Sequence, residues 1–312
     1  MIKFGPEHPD KTYVLHNYEE LSFDSGEVVL NYVTAGSRSD QPILLIPGQT
    51  ESWWGYEVAI DLLSDYYNVY AVDLRGQGRS TRTPGRYTFD NFGNDLVRFI
   101  EAVIQRPTIV SGLSSGGVIA AWLSAYAPPE MILAAHYEDP PLFAAELSPA
   151  CGPGIRQGAG PLFFNLHKYL GSQWTIGDVD GLLSNAKNMK NQWVGLALVK
   201  MVESSMQSLK EYDPEWGHAF WTGSATAGCD HQDMLARVTC PVLFTHHART
   251  INDKGNLVGA ISDMQVALVK ELVERAGQEF EYQSFPKMPH SMHGANPELF
   301  AKTVHEWAAR VA

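Results

Sequence analysis

Basic residues, cysteines and long apolar runs are what this chain has little of. Lys and Arg number 23 against 35 Asp and Glu, which leaves a formal net charge of -12. Nucleic acid and anionic lipid repel such a charge, and no basic run reverses it, so neither nucleic acid nor a membrane is an expected partner. No apolar stretch reaches the roughly 20 residues that a membrane-spanning helix requires. The three cysteines, Cys151, Cys229 and Cys240, form no Cys-x-x-Cys. An odd count without that motif excludes a disulfide scaffold and fits a reducing compartment. Met1 to Asp10 carries charge and two prolines and lacks the apolar core of a signal peptide. A cytoplasmic location is the expectation, with a processed secreted form as the alternative. Internal repeats, low-complexity tracts and coiled-coil heptads are missing too, so a homodimer is an expectation with no sequence signal behind it. There is no His-Glu-x-x-His, and His246-His247 alone is a weak metal signal; no metal and no cofactor are expected.

What is present can bury a large core, since 45% of the 312 residues are hydrophobic. Val28 to Val33, Ile43 to Ile46, Asn68 to Asp73, Pro107 to Ser111, Met131 to Tyr137, Val242 to His246 and Phe280 to Phe285 read as strands. Asn91 to Ile104 has helical periodicity, with Phe92, Leu96, Phe99, Ile100 and Val103 on one face. Further helices are predicted over Val118 to Leu123, near Ser262 to Ala276, and from about Pro297 to Val311. Strands alternating with helices imply an α/β fold: a mostly parallel sheet with helices on both faces. The alternation lapses between Pro141 and Asp230, a stretch rich in aromatics and broken by glycine and proline. It is read as an inserted helical lid, residues 141–230, over a core made of residues 1–140 and 231–312. Trp174, Trp193 and Trp221 are candidates for the wall of a pocket beneath it.

The most informative motif is Gly112-Leu113-Ser114-Ser115-Gly116-Gly117. Gly-x-Ser-x-Gly between a strand and a helix is the pattern of a nucleophile elbow, where small neighbours permit a sharp turn that leaves the serine hydroxyl exposed. Serine is a weak nucleophile until a base takes its proton. The base candidate is His290, in Pro286-Lys287-Met288-Pro289-His290-Ser291-Met292-His293 after the last strand. His293 is read as shaping that loop or touching substrate. A carboxylate must then orient the imidazole. The loop after Val242 to His246 has none before Asp253, whereas the strand after the elbow ends in Glu138-Asp139. Glu138 is the favoured acid, with Asp139 and Asp253 as alternatives. The oxyanion hole needs two backbone N–H groups. Ser115 supplies one, and Gln49, in Pro47-Gly48-Gln49-Thr50 after the strand Ile43 to Ile46, supplies the other. Asp73-Leu74-Arg75-Gly76-Gln77-Gly78-Arg79-Ser80 lacks both phosphate-loop signatures and reads as a structural turn.

In this order these motifs resemble the α/β-hydrolase superfamily over nearly the whole chain. Within it the sequence resembles the bacterial zearalenone hydrolases, which open the lactone of a resorcylic macrolide. The stretches that carry this are Gln49-Thr50-Glu51-Ser52-Trp53-Trp54, Asn94 to Ile100, Ser114-Ser115-Gly116-Gly117, Glu138-Asp139-Pro140, Leu209 to Gly217 and Thr245 to Thr250. The resemblance implies a Ser114, Glu138, His290 triad and an ester or lactone as the small-molecule substrate, with Pro140 among the substrate contacts. A carbon–carbon bond hydrolase acting on a vinylogous diketone is the second enzymatic reading. A ligand receptor on a catalytically silent scaffold is the non-enzymatic one. A dehalogenase or an epoxide hydrolase is disfavoured, since each needs Asp where Ser114 stands.

Overall fold

Side-chain alternation along the central strands dictates two cores, one on each side of a sheet. Leu44, Ile46, Val72, Val110, Ala135 and Phe244 join one buried cluster, while Ile43, Leu45, Ala71, Ile109, Ala134 and Leu243 join the other. Strands buried on both faces must be covered by helices on both faces. The computed structural model describes residues 15–143, 155–190, 192–204, 206–251 and 257–312. Its first part runs β1 (Leu21–Asp24), β2 (Val29–Ala35), β3 (Pro42–Ile46), α1 (Glu57–Leu63), β4 (Asn68–Val72), α2 (Phe89–Phe99), β5 (Thr108–Leu113), α3 (Ser115–Tyr126) and β6 (Ile132–Glu138). Helices follow: α4 (Ile155–Tyr169), α5 (Val179–Lys187), α6 (Gln192–Ser204), α7 (Met206–Lys210), α8 (Pro214–Thr222) and α9 (His231–Leu235). The chain then returns through β7 (Val242–His246), β8 (Thr250–Ile251), β9 (Leu257–Val258), α10 (Asp263–Arg275), β10 (Phe280–Ser284), α11 (Met292–Ala295) and α12 (Pro297–Val311).

The main sheet has eight strands in the order β1-β2-β4-β3-β5-β6-β7-β10. β1, β2 and β4 pair antiparallel, and every pairing from β4 to β10 is parallel. The second core is filled by Ala59, Ile60 and Leu63 of α1 and by Phe300, Val304 and Trp307 of α12. The first is filled by Phe92 and Leu96 of α2, by α3, and by Val266 and Val269 of α10. The mostly parallel α/β sheet expected from the sequence is thus the observed fold. Among the described residues no main-sheet strand lies between β6 and β7, and no helix is long and apolar enough to cross a membrane.

Helix ends follow local chemistry. The Thr88 side chain accepts the Asn91 N–H, which starts α2 two residues before the hydrophobic periodicity suggests; a π turn over Ile100–Ile104 continues it. Ser262 and Gln265 form a reciprocal capping box at the start of α10. β1 has four half-exposed or exposed residues at the sheet edge, too few to show a period in the sequence.

Candidate active site

Where β5 ends, the chain turns sharply into α3. Ser114 sits at φ 54° and ψ -120°, a conformation that costs about 1–3 kcal/mol in an ordinary residue. Two residues to either side, Gly112 and Gly116 leave no room for a side chain. A Cβ on Gly112 would lie 2.1 Å from the Gly116 carbonyl oxygen, and one on Gly116 would lie 2.3 Å from that of Ile46. Packing on both sides thus holds the turn in this conformation. The Ser114 N–H donates to the Glu138 carbonyl at 2.8 Å, which holds the elbow level with the end of β6. Ser115 is the first residue of α3, so its N–H has no partner within that helix.

The two carboxylates at the end of β6 go to different partners. The expected Glu138–His290 contact is not formed; His290 Nδ1 meets Asp139 Oδ2 at 2.6 Å instead. Glu138 is the last residue of β6, whereas Asp139 turns out of the strand at φ 45°, so the two carboxylates leave the strand end in different directions. The Asp139 N–H donates to the Thr245 carbonyl at 2.9 Å, and its other carboxylate oxygen accepts the His247 N–H at 3.1 Å. The His290 side chain is 42% exposed, so its Nε2 edge remains open to a reacting group while Nδ1 is held. Burial alone would lower the His290 pKa, but the hydrogen bond and charge of Asp139 outweigh it and raise the value above 6.5. Burial likewise opposes ionisation of Asp139, and His290 with His247 overcomes it to hold the carboxyl below its ordinary range. Asp253 lies outside the described residues.

Glu138 instead faces His293. Its Oε2 is 3.0 Å from His293 Nδ1, while Oε1 accepts the N–H groups of Met292 at 2.6 Å and His293 at 3.2 Å. Both residues are buried, at 0% and 2% exposure, so His293 has no free edge for a substrate.

The loop after β3 presses against the elbow. A Cβ on Gly48 would lie 3.3 Å from the Ser114 Cβ. This places the next residue, Gln49, beside the elbow. Gln49 is braced at both ends: its Nε2 lies 3.3 Å from Ser115 Oγ, and its Oε1 accepts from Tyr212 at 2.8 Å. Gln77 Nε2 donates to the Gly48 carbonyl at 2.7 Å, so the Asp73–Ser80 turn is a prop for this loop. Asp73, at the root of that turn, receives the Trp53 and Arg79 N–H groups and the Asn31 amide. Tyr212 and its neighbours were not singled out as site residues in the sequence. The signal was present, since Gln49–Trp54 and Leu209–Gly217 are both stretches that carry the family resemblance. In space they touch: Ser52 Oγ and Trp54 Nε1 both donate to Glu211 Oε2, at 2.7 and 3.1 Å.

The other expected substrate contacts divide. Pro140 is buried, 3.0 Å from where a Cβ on Gly117 would lie. Trp174 is buried, and its indole N–H is already given to the Gly78 carbonyl at 2.8 Å. Trp221 is 40% exposed and packs against Phe164. The side chain of Trp193 lies outside the described residues. One His/Glu group, His167, Glu215 and His218, has ligand-type atoms close together. Its two imidazoles stack 4.3 Å apart at 15°, so their lone pairs lie in parallel planes and do not converge on one ion.

A family model described as alpha/beta hydrolase family matches residues 43–303. The chain is 31% identical over 134 residues to epoxide hydrolase 4 from Homo sapiens, a match covering 41% of this chain and 36% of that one. It is 34% identical over 105 residues to the AB hydrolase superfamily protein YfhM of Bacillus subtilis, covering 32% and 36% respectively. These matches therefore span about a third of each curated relative's length. Among solved structures, the enol-lactonase from Burkholderia xenovorans superimposes with a TM-score of 0.66 at 16% identity, covering 93% of this chain and 100% of that one. A putative aryl esterase from Burkholderia cenocepacia gives 0.63 at 20% identity, covering 94% and 99%. At such identities the likeness is one of fold.

Proposed function

Since this chain belongs to the alpha/beta hydrolase family, we propose that it is a serine carboxyl-ester hydrolase that opens a bulky lactone, with zearalenone as the first candidate. The single observation that supports this most is the strained Ser114, bonded through its N–H to Glu138 at the end of β6, where the next residue, Asp139, holds Nδ1 of a half-exposed His290. Ser114 Oγ attacks the ester carbonyl while His290 Nε2 accepts its proton. The N–H groups of Gln49 and Ser115 stabilise the oxyanion. The C–O bond breaks, and the leaving alkoxide takes the proton from His290. In a lactone that alcohol stays tethered to the acyl group. Water then attacks the acyl-enzyme, gives a proton to His290 and releases Ser114, so the product is the lactone plus one water. A serine here forms an ester intermediate but gives no route to the carboxylate attack that an epoxide hydrolase needs.

Asp139 is the acid in this reading. It holds His290 in the tautomer that leaves Nε2 free to accept, and it stabilises the imidazolium formed in the transition state. The helices α4 to α8 serve as a lid over the site. Its segment Glu211–Asp213 is latched to the core through Ser52, Trp54, Gln49 and Gly76, which supports a fixed floor beside the oxyanion loop.

The test is turnover of zearalenone by the purified protein, followed by mass, beside a short-chain nitrophenyl ester. Gain of one water by zearalenone is the expected result. Turnover of the simple ester alone would keep the mechanism and move the substrate elsewhere, and inactivity on both would sink the reading. The pH profile is a second check. Only neutral His290 can take the serine proton, and its pKa is raised, so the acid limb of kcat/KM should have its midpoint above 6.5. Asp139→Asn should move that midpoint down; a limb at or below 6.5 in the unaltered enzyme would contradict the His290–Asp139 pairing.

A further inference from the structure

We propose that Glu51 and the buried His293 and Glu138 form a carboxylate–imidazole–carboxylate clamp that fixes the oxyanion loop and the His290 loop against β6. His293 is then a positioning residue that sets the placement and basicity of His290. The inference rests on the reading of Ser114 and His290 given above.

The three side chains come from the three segments that carry the proposed machinery. Glu51 lies two residues after Gln49. Glu138 ends β6, and its carbonyl receives the Ser114 N–H at 2.8 Å. His293 lies three residues after His290. His293 Nδ1 is 3.0 Å from Glu138 Oε2, and His293 Nε2 is 3.5 Å from Glu51 Oε2 and 3.2 Å from Ser291 Oγ. A carboxylate thus stands at each ring nitrogen, Glu138 at Nδ1 and Glu51 at Nε2, and only the doubly protonated ring presents an N–H to both. The ring stacks on Tyr56 at 3.7 Å and 17°, and meets the edge of Phe300 at 5.6 Å. An aromatic face suits a cation at that position. Burial opposes charge on His293, but Glu138 and Glu51 overcome it and push its pKa up to about 10. Burial also opposes ionisation of Glu138; His293 foremost, then His247 and His136, hold its carboxyl down at about 2.

This arrangement bears on the base. His290 faces Asp139 directly, and Glu51 and Glu138 as more distant negative charges. The backbone carbonyl of His290 is in turn 3.0 Å from His247 Nδ1. The cation on His293 therefore offsets two carboxylates that would otherwise raise the His290 pKa further, and removing one carboxylate should lower it. The Glu51 arm is the weak one, at ion-pair rather than hydrogen-bond distance and partly exposed. Glu51→Gln keeps its size and removes its charge.

The experiment is nitrogen-detected NMR titration of the imidazoles in the full chain, for the unaltered protein, Glu51→Gln and His293→Gln, with kcat and KM on the nitrophenyl ester in parallel. The clamp predicts that His293 stays protonated above pH 8, and that His290 titrates at lower pH in Glu51→Gln. It also predicts a kcat loss of about 10²-fold in His293→Gln with KM little changed, the penalty of a misplaced base. A His293 that titrates near 6.5, or a His290 titration unmoved in Glu51→Gln, would overturn the clamp. A His293→Gln variant that raises KM alone would make His293 a substrate contact and overturn its positioning role. If His293→Gln does not fold, the Glu51→Gln titration decides. Absence of turnover in the unaltered protein would count against the Ser114 reading, and the titrations would still judge the clamp.

Discussion

Ser114→Ala should lower kcat on any ester substrate by about 10⁴-fold or more while leaving the melting temperature nearly unchanged. In the proposed reading the Ser114 hydroxyl forms the acyl-enzyme, since the adjacent Ser115 hydroxyl is buried and lies 3.3 Å from Gln49 Nε2. The backbone conformation there is imposed by β5, α3 and the β3 loop rather than by the side chain. Losing one oxygen removes the covalent route but leaves the oxyanion donors in place, so a small residual rate over water is expected. Parallel measurement of kcat and thermal unfolding checks this. Residual turnover within tenfold of the unaltered enzyme would exclude Ser114 as the nucleophile, and a collapsed melting curve would make the comparison one of folding.

The second large effect separates two adjacent carboxylates. Asp139→Asn should cost about 10³–10⁴ in kcat with a modest change in stability, because the His247 N–H keeps the amide oxygen and turns the NH2 toward His290 Nδ1, favouring the wrong tautomer, and a neutral amide cannot balance the imidazolium charge. Glu138→Gln should do the reverse in emphasis. In the proposed clamp it removes the main partner of a protonated, buried His293 and should destabilise the fold by about 3 kcal/mol, the scale of a broken buried ion pair. Activity per folded molecule should fall less than in Asp139→Asn. Steady-state kinetics and urea unfolding on both variants check the pair. If Glu138→Gln is the catalytically silent one with unchanged stability, the acid is Glu138 and the Asp139 contact is incidental.

That pair also shows where sequence reasoning reached its limit. Buried strands, the elbow and the capped helices could be read locally, because apolar runs, Gly-x-Ser-x-Gly and Ser262-x-x-Gln265 each carry their own geometry. The place of the His290 loop after the last strand was legible. Which carboxylate meets His290 was not, because Asp139 turns out of the strand at φ 45° after Glu138, and only the tertiary approach of residues 290–293 decides which carboxylate meets which histidine. Tyr212 on Gln49 is a contact between residues 163 apart, and it became visible only when two motif stretches met in space. Trp174 reads as a pocket aromatic by composition, yet its N–H is spent on the Gly78 carbonyl, which makes it a brace for the core turn.

The most direct measurement is the intact mass of the protein after exposure to a fluorophosphonate, with the adduct mapped by peptide. An acyl-transfer site of this kind predicts one adduct per chain, on Ser114, lost in Ser114→Ala and slowed in Asp139→Asn. No adduct on the folded protein, or an adduct that persists in Ser114→Ala, would contradict it.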